Sequence, residues 1–471
     1  MPALAELHLA AIAPELILTA AAIAILLIDV VRGTGRSSVG STLALAGLLL
    51  AVYAALSAPA GPALGGVVIA DRLTQFARLL IAAVTALIVL AARPELRRAG
   101  RERGEFYALL LFAAVGMMVL TSSAELMTLF IGLEIFSIAL YVLAGYLRER
   151  VECNEASLKY FLMGAVSSGF FLYGIALVYG ATGTTFLTNM RPSAADPLVL
   201  CGAALLLVGF AFKLSIVPFH MWTPDVYQGS PTIVAGFMTA ATKAAAFCAL
   251  LRTFRVGLIT LEPTWTGSFA VLAALTMILG NIAALAQRDL KRMLAYSSIA
   301  HAGYLLVGMA AGSNAAAGAM LFYLIAYALM GVGAFCALAA LTPQPGEQLV
   351  IEDLAGLAQR QPLAAAALAT FLFSLTGIPP TAGFMAKLYL FGAAVDAGQI
   401  PLVVLALVTS AVAAFYYLRP IVAMYMKAPE GVALPAPPLG SAAVLLIAAA
   451  LTLILGIVPG PTLAWATQSL P

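Results

Sequence analysis

The segment Leu198–His220, LVLCGAALLLVGFAFKLSIVPFH, holds one ionisable residue inside its apolar run, Lys213, and a proline five residues beyond it, Pro218. Its length is that of a helix crossing the hydrocarbon of a bilayer, about 20 residues. An ammonium group at such depth is costly, and function or a buried partner is the usual reason for it. Pro218 removes a helical hydrogen bond and tends to break the helix. Non-helical backbone at membrane depth survives where protein encloses it or where it lines a hydrated cavity. The segment therefore reads as a discontinuous membrane helix with a cation beside its break.

The composition of the whole chain agrees. Of 471 residues, 63% are apolar and only 10% charged, against roughly 45–50% and 25% in soluble domains. That excludes an ordinary soluble enzyme and a disordered chain. A formal net charge of +3 is too small to suggest a nucleic-acid partner. Fourteen apolar runs are long enough to cross: 9–31, 39–60, 73–91, 106–122, 125–147, 157–181, 198–220, 231–254, 266–287, 294–311, 315–340, 362–395, 401–425 and 438–459. They are continuous rather than alternating, which disfavours a β-barrel. The fold class is all-α, a polytopic membrane protein of about fourteen helices. The twelfth run is too long for one straight helix and contains Pro379 and Pro380, so the seventh and twelfth helices are both expected to be discontinuous. The longest connection, 341–361, is expected to form a short surface helix. Cys153, Cys201, Cys248 and Cys336 stand far apart and give no metal or disulfide framework. No glycine-rich dinucleotide loop follows a strand. This chain is accordingly expected to bind no cofactor and no metal.

Basic residues set the orientation. With the N-terminus outside the cytoplasm, fourteen of the 24 Lys and Arg residues fall on the cytoplasmic side and four on the other, the bias that positive charge follows in membrane proteins. Both termini are then periplasmic, with a bacterial inner membrane as the expected location. Six cations remain at helix depth: Arg78 and Arg419 near span boundaries, and Lys159, Lys213, Lys243 and Lys387.

Four ionisable groups lie well inside separate spans. They are Glu134 in LMTLFIGLEIFSIALYVL (126–143), Lys213, Lys243 in GFMTAATKAAAFCALL (236–251) and Lys387 in GIPPTAGFMAKLYLFG (377–392). A carboxylate and an ammonium close together favour each other's charged form, while removal from water favours the neutral form of both. A lysine under these opposed influences can hold or release a proton when its partner moves. A row of such lysines is a proton wire whose members titrate together. His301, in AYSSIAHAGY (295–304), can relay a proton through its two ring nitrogens. Lys159, in CNEASLKYFLMG (153–164), either meets Glu134 across a helix pair or reaches the cytoplasmic interface. Asp225 is expected to hold the turn before the eighth span, and Asp289 to form a loop salt bridge with its basic neighbours.

In Lys213 the lysine precedes its break; in Lys387 it follows. The two spans start from opposite faces, as inverted-topology repeats of transporters do. The expected organisation is 1–105 for helices one to three, 106–255 for a first half-channel of helices four to eight, 256–430 for a second of helices nine to thirteen, and 431–471 for the last helix.

FKLSIVPFHMWTPDVYQGSPT (212–232) closely resembles a signature of the proton-pumping, antiporter-like membrane subunits of respiratory complex I, the NADH:quinone oxidoreductase. GLEIFSIALYVLAGY around Glu134, TKAAAF at Lys243, AYSSIAHAGY around His301 and SLTGIPPTAGFMAKLYLF around Lys387 extend the resemblance almost from end to end. Lysine at position 387, where related subunits carry glutamate, favours the subunit N branch over most subunit M relatives. The resemblance implies an ion pair of Glu134 with Lys213 in the first half-channel, transfer through Lys243, a hydrated central route at His301, and a terminal position at Lys387. It implies a non-redox, proton-translocating subunit of the enzyme. NADH, FMN, Fe–S clusters and quinone would be bound by partner subunits, and adjacent antiporter-like subunits, small membrane subunits and lipids would surround this chain. A cation/proton antiporter, or a subunit of a multisubunit Na⁺/H⁺ antiporter, would share the broken helices and buried lysines.

Overall fold

The structure, a computed structural model, is described here for residues 8–32, 39–344, 346–429 and 434–471. Thirteen helices among the described residues are long and apolar enough to cross a membrane: Leu9–Arg32, Val39–Ser57, Arg72–Arg98, Gly104–Ser122, Leu126–Ala144, Val151–Thr182, Pro197–Leu214, Thr232–Gly257, Ile259–Leu285, Leu290–Ala311, Asn314–Leu341, Ile400–Met426 and Leu439–Ile457. Pro362–Thr376 and Ala382–Asp396 together form one further crossing, the twelfth in chain order. The fourteen expected crossings are thus present. A small antiparallel hairpin pairs Gly61–Ala63 with Val68–Ala70. The connection after the eleventh span carries the short helix Leu357–Arg360, as expected.

Loop contacts agree with an even number of crossings. Arg98, ending the third span, donates to the Ala339 and Thr342 carbonyls at the end of the eleventh, at 2.7 and 2.6 Å. On the opposite face Arg252, in the last two turns of the eighth span, grips Asp71, just before the third, at 2.7 and 2.8 Å. Close helix pairs rest on small residues, which let backbones approach. A Cβ on Gly116 of the fourth span would sit 2.5 Å from the Phe136 nitrogen of the fifth. A Cβ on Gly280 of the ninth would sit 2.7 Å from the Ala300 nitrogen of the tenth.

The eighth span is wholly buried, and the tenth and eleventh nearly so, while most others turn one face outward. That central trio carries Lys243, His301 and several tyrosines. Three of the cysteines are buried as expected for small apolar residues, but Cys201 is exposed on the outer surface of the seventh span.

The two breaks share a local design. The seventh span ends at Ser215 in the left-handed region, φ 61°, and the first half of the twelfth ends at Gly377, φ 91°. Each is followed by an isoleucine and then a proline-bearing turn, Ile216-Val217-Pro218 and Ile378-Pro379-Pro380. Left-handed residues close helices because the backbone then turns to cap the last carbonyls. After the first break the chain emerges at the Arg-rich face as the short helix Trp222–Gly229.

Three sequence-based expectations change. Arg78, near the start of the third span as expected, does not reach an interface: it is 2% exposed and holds Glu15 of the first span through two hydrogen bonds of 2.8 and 2.9 Å, because a buried guanidinium is tolerable only when its charge is met. Asp289 caps the tenth span, accepting from the Arg292 backbone N–H at 2.6 Å, and forms no loop salt bridge among the described residues. Asp225 does more than hold a turn: it joins Lys159 at 2.8 Å and Arg292 at 2.9 Å, tying the sixth span to the tenth.

Candidate proton pathway

Glu134 stands on the fifth span, whose N-terminus is capped by the Glu125 carboxylate. Its Oε1 accepts from the Ser168 hydroxyl of the sixth span. Lys213 lies one turn before the first break and is 4% exposed. Among the described residues its ammonium has no hydrogen-bond partner. It sits instead over the rings of Phe136, Tyr141, Tyr160 and Phe212, 5.2 to 5.5 Å from their centroids. Cation–π attraction of this kind is worth about 2 kcal/mol or more when desolvated. The Tyr141 hydroxyl in the same box is also buried without a partner. The expected Glu134–Lys213 ion pair is therefore not closed here: Ser168 has captured the carboxylate, and aromatic faces hold the cation.

Lys159 resolves in favour of the interface. Its side chain is 42% exposed and pairs with Glu155 at 2.7 Å and Asp225 at 2.8 Å, so it does not meet Glu134. It lies nine residues before the Glu134 partner Ser168 on the sixth span and, through Asp225 and Arg292, faces the Arg-rich surface.

Lys243 is 1% exposed and directly follows a π-helical turn, Met238–Thr242. Such turns rotate the following side chains out of the α-helical register and recur at functional sites. Its ammonium donates to the Ser298 carbonyl of the tenth span and lies 5.6 Å from the Tyr327 ring centroid. His301, one turn farther along the tenth span, is 1% exposed. Its Nδ1 contacts the Tyr323 hydroxyl at 2.8 Å and its Nε2 the Tyr417 hydroxyl at 3.2 Å. Tyr417 also contacts the Ser297 hydroxyl. One face of the tenth span thus carries Ser297, Ser298, His301 and Tyr304.

Lys387 follows the second break and is 6% exposed. It donates to the Leu375 and Thr376 carbonyls at 3.1 and 2.8 Å and to the Ser410 hydroxyl at 2.7 Å. The break frees those carbonyls, and the negative end of the first half-helix favours a cation there. Gly377 makes room: a Cβ on it would come 3.0 Å from Lys387 Cδ. The Lys387 ammonium also lies 5.0 Å from the Tyr304 ring centroid, and the Tyr304 hydroxyl accepts from Asn281 at 3.1 Å.

The structure thus joins Lys243, His301 and Lys387 around the tenth span and leaves Glu134 and Lys213 as a separate cluster. The partners Ser168, Ser298, Tyr323, Tyr417 and Ser410 were not singled out from sequence. The polar positions 297, 298, 301 and 304 do share a helical face, a signal that could have found part of the network.

Comparison with known proteins places these features in a family. A profile described as "NADH:quinone oxidoreductase/Mrp antiporter, TM" matches residues 123–413. NADH-quinone oxidoreductase subunit N of Chloroflexus aggregans is 44% identical over 98% of this chain and 96% of its own length. A chain in the structure of respiratory complex I from Thermus thermophilus with bound Aureothin superposes with a TM-score of 0.84 at 40% identity, covering 96% of this chain and 99% of that one. A chain of the Mrp complex from Dietzia sp. DQ12-45-1b gives a TM-score of 0.84 over 98% and 96% of the two chains at 24% identity, a likeness of fold alone.

Proposed function

The chain belongs to the NADH-quinone oxidoreductase subunit N family, and from that premise we propose that it carries protons across the membrane along Glu134, Lys213, Lys243, His301 and Lys387. Lys159 would act at the cytoplasmic entrance, through its exposed contact with Asp225. Residues 106–255 would form the first half-channel and 256–430 the second, with 1–105 and 431–471 flanking them. The Arg-rich face would be cytoplasmic, both termini periplasmic, and the membrane a bacterial inner membrane. Redox chemistry with NADH, FMN, Fe–S clusters and quinone belongs to partner subunits in this reading. Neighbouring antiporter-like and small membrane subunits would complete the arm.

The observation that carries the proposal is the set of buried polar groups spaced along the tenth span: Lys243 on the Ser298 carbonyl, His301 between Tyr323 and Tyr417, and Lys387 beside the Tyr304 ring. The open Glu134–Lys213 pair supplies the switch. When Glu134 leaves Ser168 and approaches Lys213, the ammonium form gains a counter-charge. When it withdraws to Ser168, the Lys213 ammonium keeps only aromatic faces and no counter-charge, so passing its proton toward the centre becomes easier. A signal from quinone reduction in a neighbouring subunit would set the position of Glu134.

The test is NADH-driven acidification of inverted membrane vesicles containing the assembled complex. Lys213→Ala is expected to leave assembly intact and to reduce coupled pumping to background. Intact assembly with normal coupled pumping would remove Lys213 from the route. The Mrp-like fold favours a second reading, cation/proton exchange; pumping that required sodium would select it.

A further inference from the structure

A cleft of ≈ 580 Å³ opens at the Arg-rich face where the third span ends and the second and fourteenth begin. Leu45, Leu90 and Leu439 give it apolar walls, and Arg93 and Arg97 stand at its mouth. Pro94 lies within the third span, where it cannot donate to the Leu90 carbonyl as an ordinary residue would. Gly440 fits against that carbonyl: a Cβ there would come within 2.6 Å of it. The fourteenth span thereby seats closely on the third at the cleft wall.

The two arginines are arranged by one carboxylate. Arg93 Nε donates to Glu102 Oε1 at 2.8 Å, and Arg97 Nε to Glu102 Oε2 at 2.5 Å. The Glu102 side chain is 1% exposed, whereas those of Arg93 and Arg97 are 37% and 53% exposed. Spending only Nε on the carboxylate leaves the Nη groups of both guanidiniums for an outside acceptor. Guanidinium forks of this kind suit phosphate oxygens. Arg98, the third arginine of the turn, is already committed to the Ala339 and Thr342 carbonyls. Two guanidiniums and one carboxylate leave a net positive charge in the clamp, and Arg98 beside it adds another. The cleft's polar mouth lies at the end of membrane helices, and its apolar walls run down the spans, with Leu439 89% exposed along one of them.

We propose that this cleft is a binding site for an anionic phospholipid, its phosphodiester on Arg93 and Arg97 and its acyl chains along Leu45, Leu90 and Leu439. A headgroup with net negative charge complements this excess of positive charge. A zwitterionic headgroup brings an ammonium that the clamp repels. Basic pockets between membrane helices recognise lipid headgroups in this way. The site stands apart from the proposed proton route: among the described residues the hydrogen bonds and ion pairs of Arg93, Arg97 and Arg98 involve none of Glu134, Lys213, Lys243, His301 or Lys387.

The test uses the full chain, released from nanodiscs of phosphatidylethanolamine with or without phosphatidylglycerol and examined by native mass spectrometry. The wild type is expected to retain one phosphatidylglycerol in preference to phosphatidylethanolamine. Arg93→Gln with Arg97→Gln should weaken that retention about thirtyfold, while Arg360→Gln, an exposed cation elsewhere on the same face, should leave it unchanged. Should the double variant fail to fold, the wild-type lipid preference still decides. Equal retention of the two lipids, competition by inorganic phosphate as effective as by the lipid, or photo-crosslinking of the cleft to a neighbouring protein in place of lipid would each overturn the proposal.

Discussion

Lys213 and Lys387 stand beside breaks of the same local design and are held in opposite ways. Lys213 is on the half-helix that leads into its break, so it points away from the carbonyls the break frees. Those carbonyls are taken by other donors: Ser215 and Trp222 both donate to the Phe212 carbonyl, at 3.1 and 2.9 Å. Its ammonium is left to aromatic faces. Lys387 is on the half-helix that leaves its break and reaches back to two freed carbonyls and a hydroxyl. The second lysine is structurally anchored; the first depends on a partner that has to arrive. A lysine without fixed acceptors is the better switch, and one at a helix C-terminus is the better terminal holder of charge.

The contrast can be broken by a pair of isosteric changes. Lys387→Met would strip the Leu375 carbonyl of its side-chain donor and weaken the Thr376 site, costing about 2–4 kcal/mol. Lys213→Met removes a buried charge that has no hydrogen bond to lose and leaves a thioether among rings, so stability should stay within about 1 kcal/mol or rise. Thermal unfolding of the detergent-purified chain reads both. Equal destabilisation by the two changes would mean that Lys213 has acceptors in the folded protein and that the comparison fails. Both variants should lose coupled pumping, so the difference lies in stability alone.

The tyrosines sharpen the same comparison at smaller scale. Tyr417→Phe deletes a hydroxyl that meets both Ser297 and His301 Nε2, with an expected cost of about 1–2 kcal/mol. Tyr141→Phe, in the Lys213 box, deletes a hydroxyl that has no partner and should be neutral in the same melting assay. A marked loss for Tyr141→Phe would place a fixed hydrogen bond beside Lys213.

The apolar runs were legible because lipid forces each crossing to be long and nearly free of charge. Their ends were less so. The third span runs to Arg98 and the sixth starts at Val151, beyond the apolar text, because polar turns extend helices past the hydrocarbon. Lys213, Lys243, His301 and Lys387 stood out as ionisable letters in apolar surroundings. Their partners did not. Ser168 and Tyr417 are common residues in membrane helices, the acceptors of Lys243 and Lys387 are largely backbone carbonyls, and the π-helical turn before Lys243 has no letter of its own. Proximity in sequence pattern also could not choose between the two fates of Lys159, since both needed only a helix start near a charged neighbour. Asp225 decided it.

Asp225 gives the finest division between the halves. Counted from Pro218 it is the seventh residue on, as Lys387 is from Pro380, so matching registers carry a carboxylate at the Arg-rich face and an ammonium in the interior. Only 8 residues, Trp222–Gly229, follow the first break as helix, against 15, Ala382–Asp396, after the second; the first register surfaces and the second stays buried. Partial burial would raise the Asp225 carboxyl, but hydrogen bonds and charge from Lys159 and Arg292 outweigh it and hold the group below its usual 3.8. Because the folded form binds its proton less readily than the unfolded one, the contribution to stability is present above the unfolded value and is lost as pH falls through the folded value. The wild type should therefore lose this tie between the sixth and tenth spans only in acid, by no more than about 1 kcal/mol given its exposure. Asp225→Asn should be slightly less stable at neutral pH and converge with the wild type as the pH is lowered below 3.8. A stability gap that persists in acid would show that Asp225 acts through shape and not through charge, and would end the parallel with Lys387.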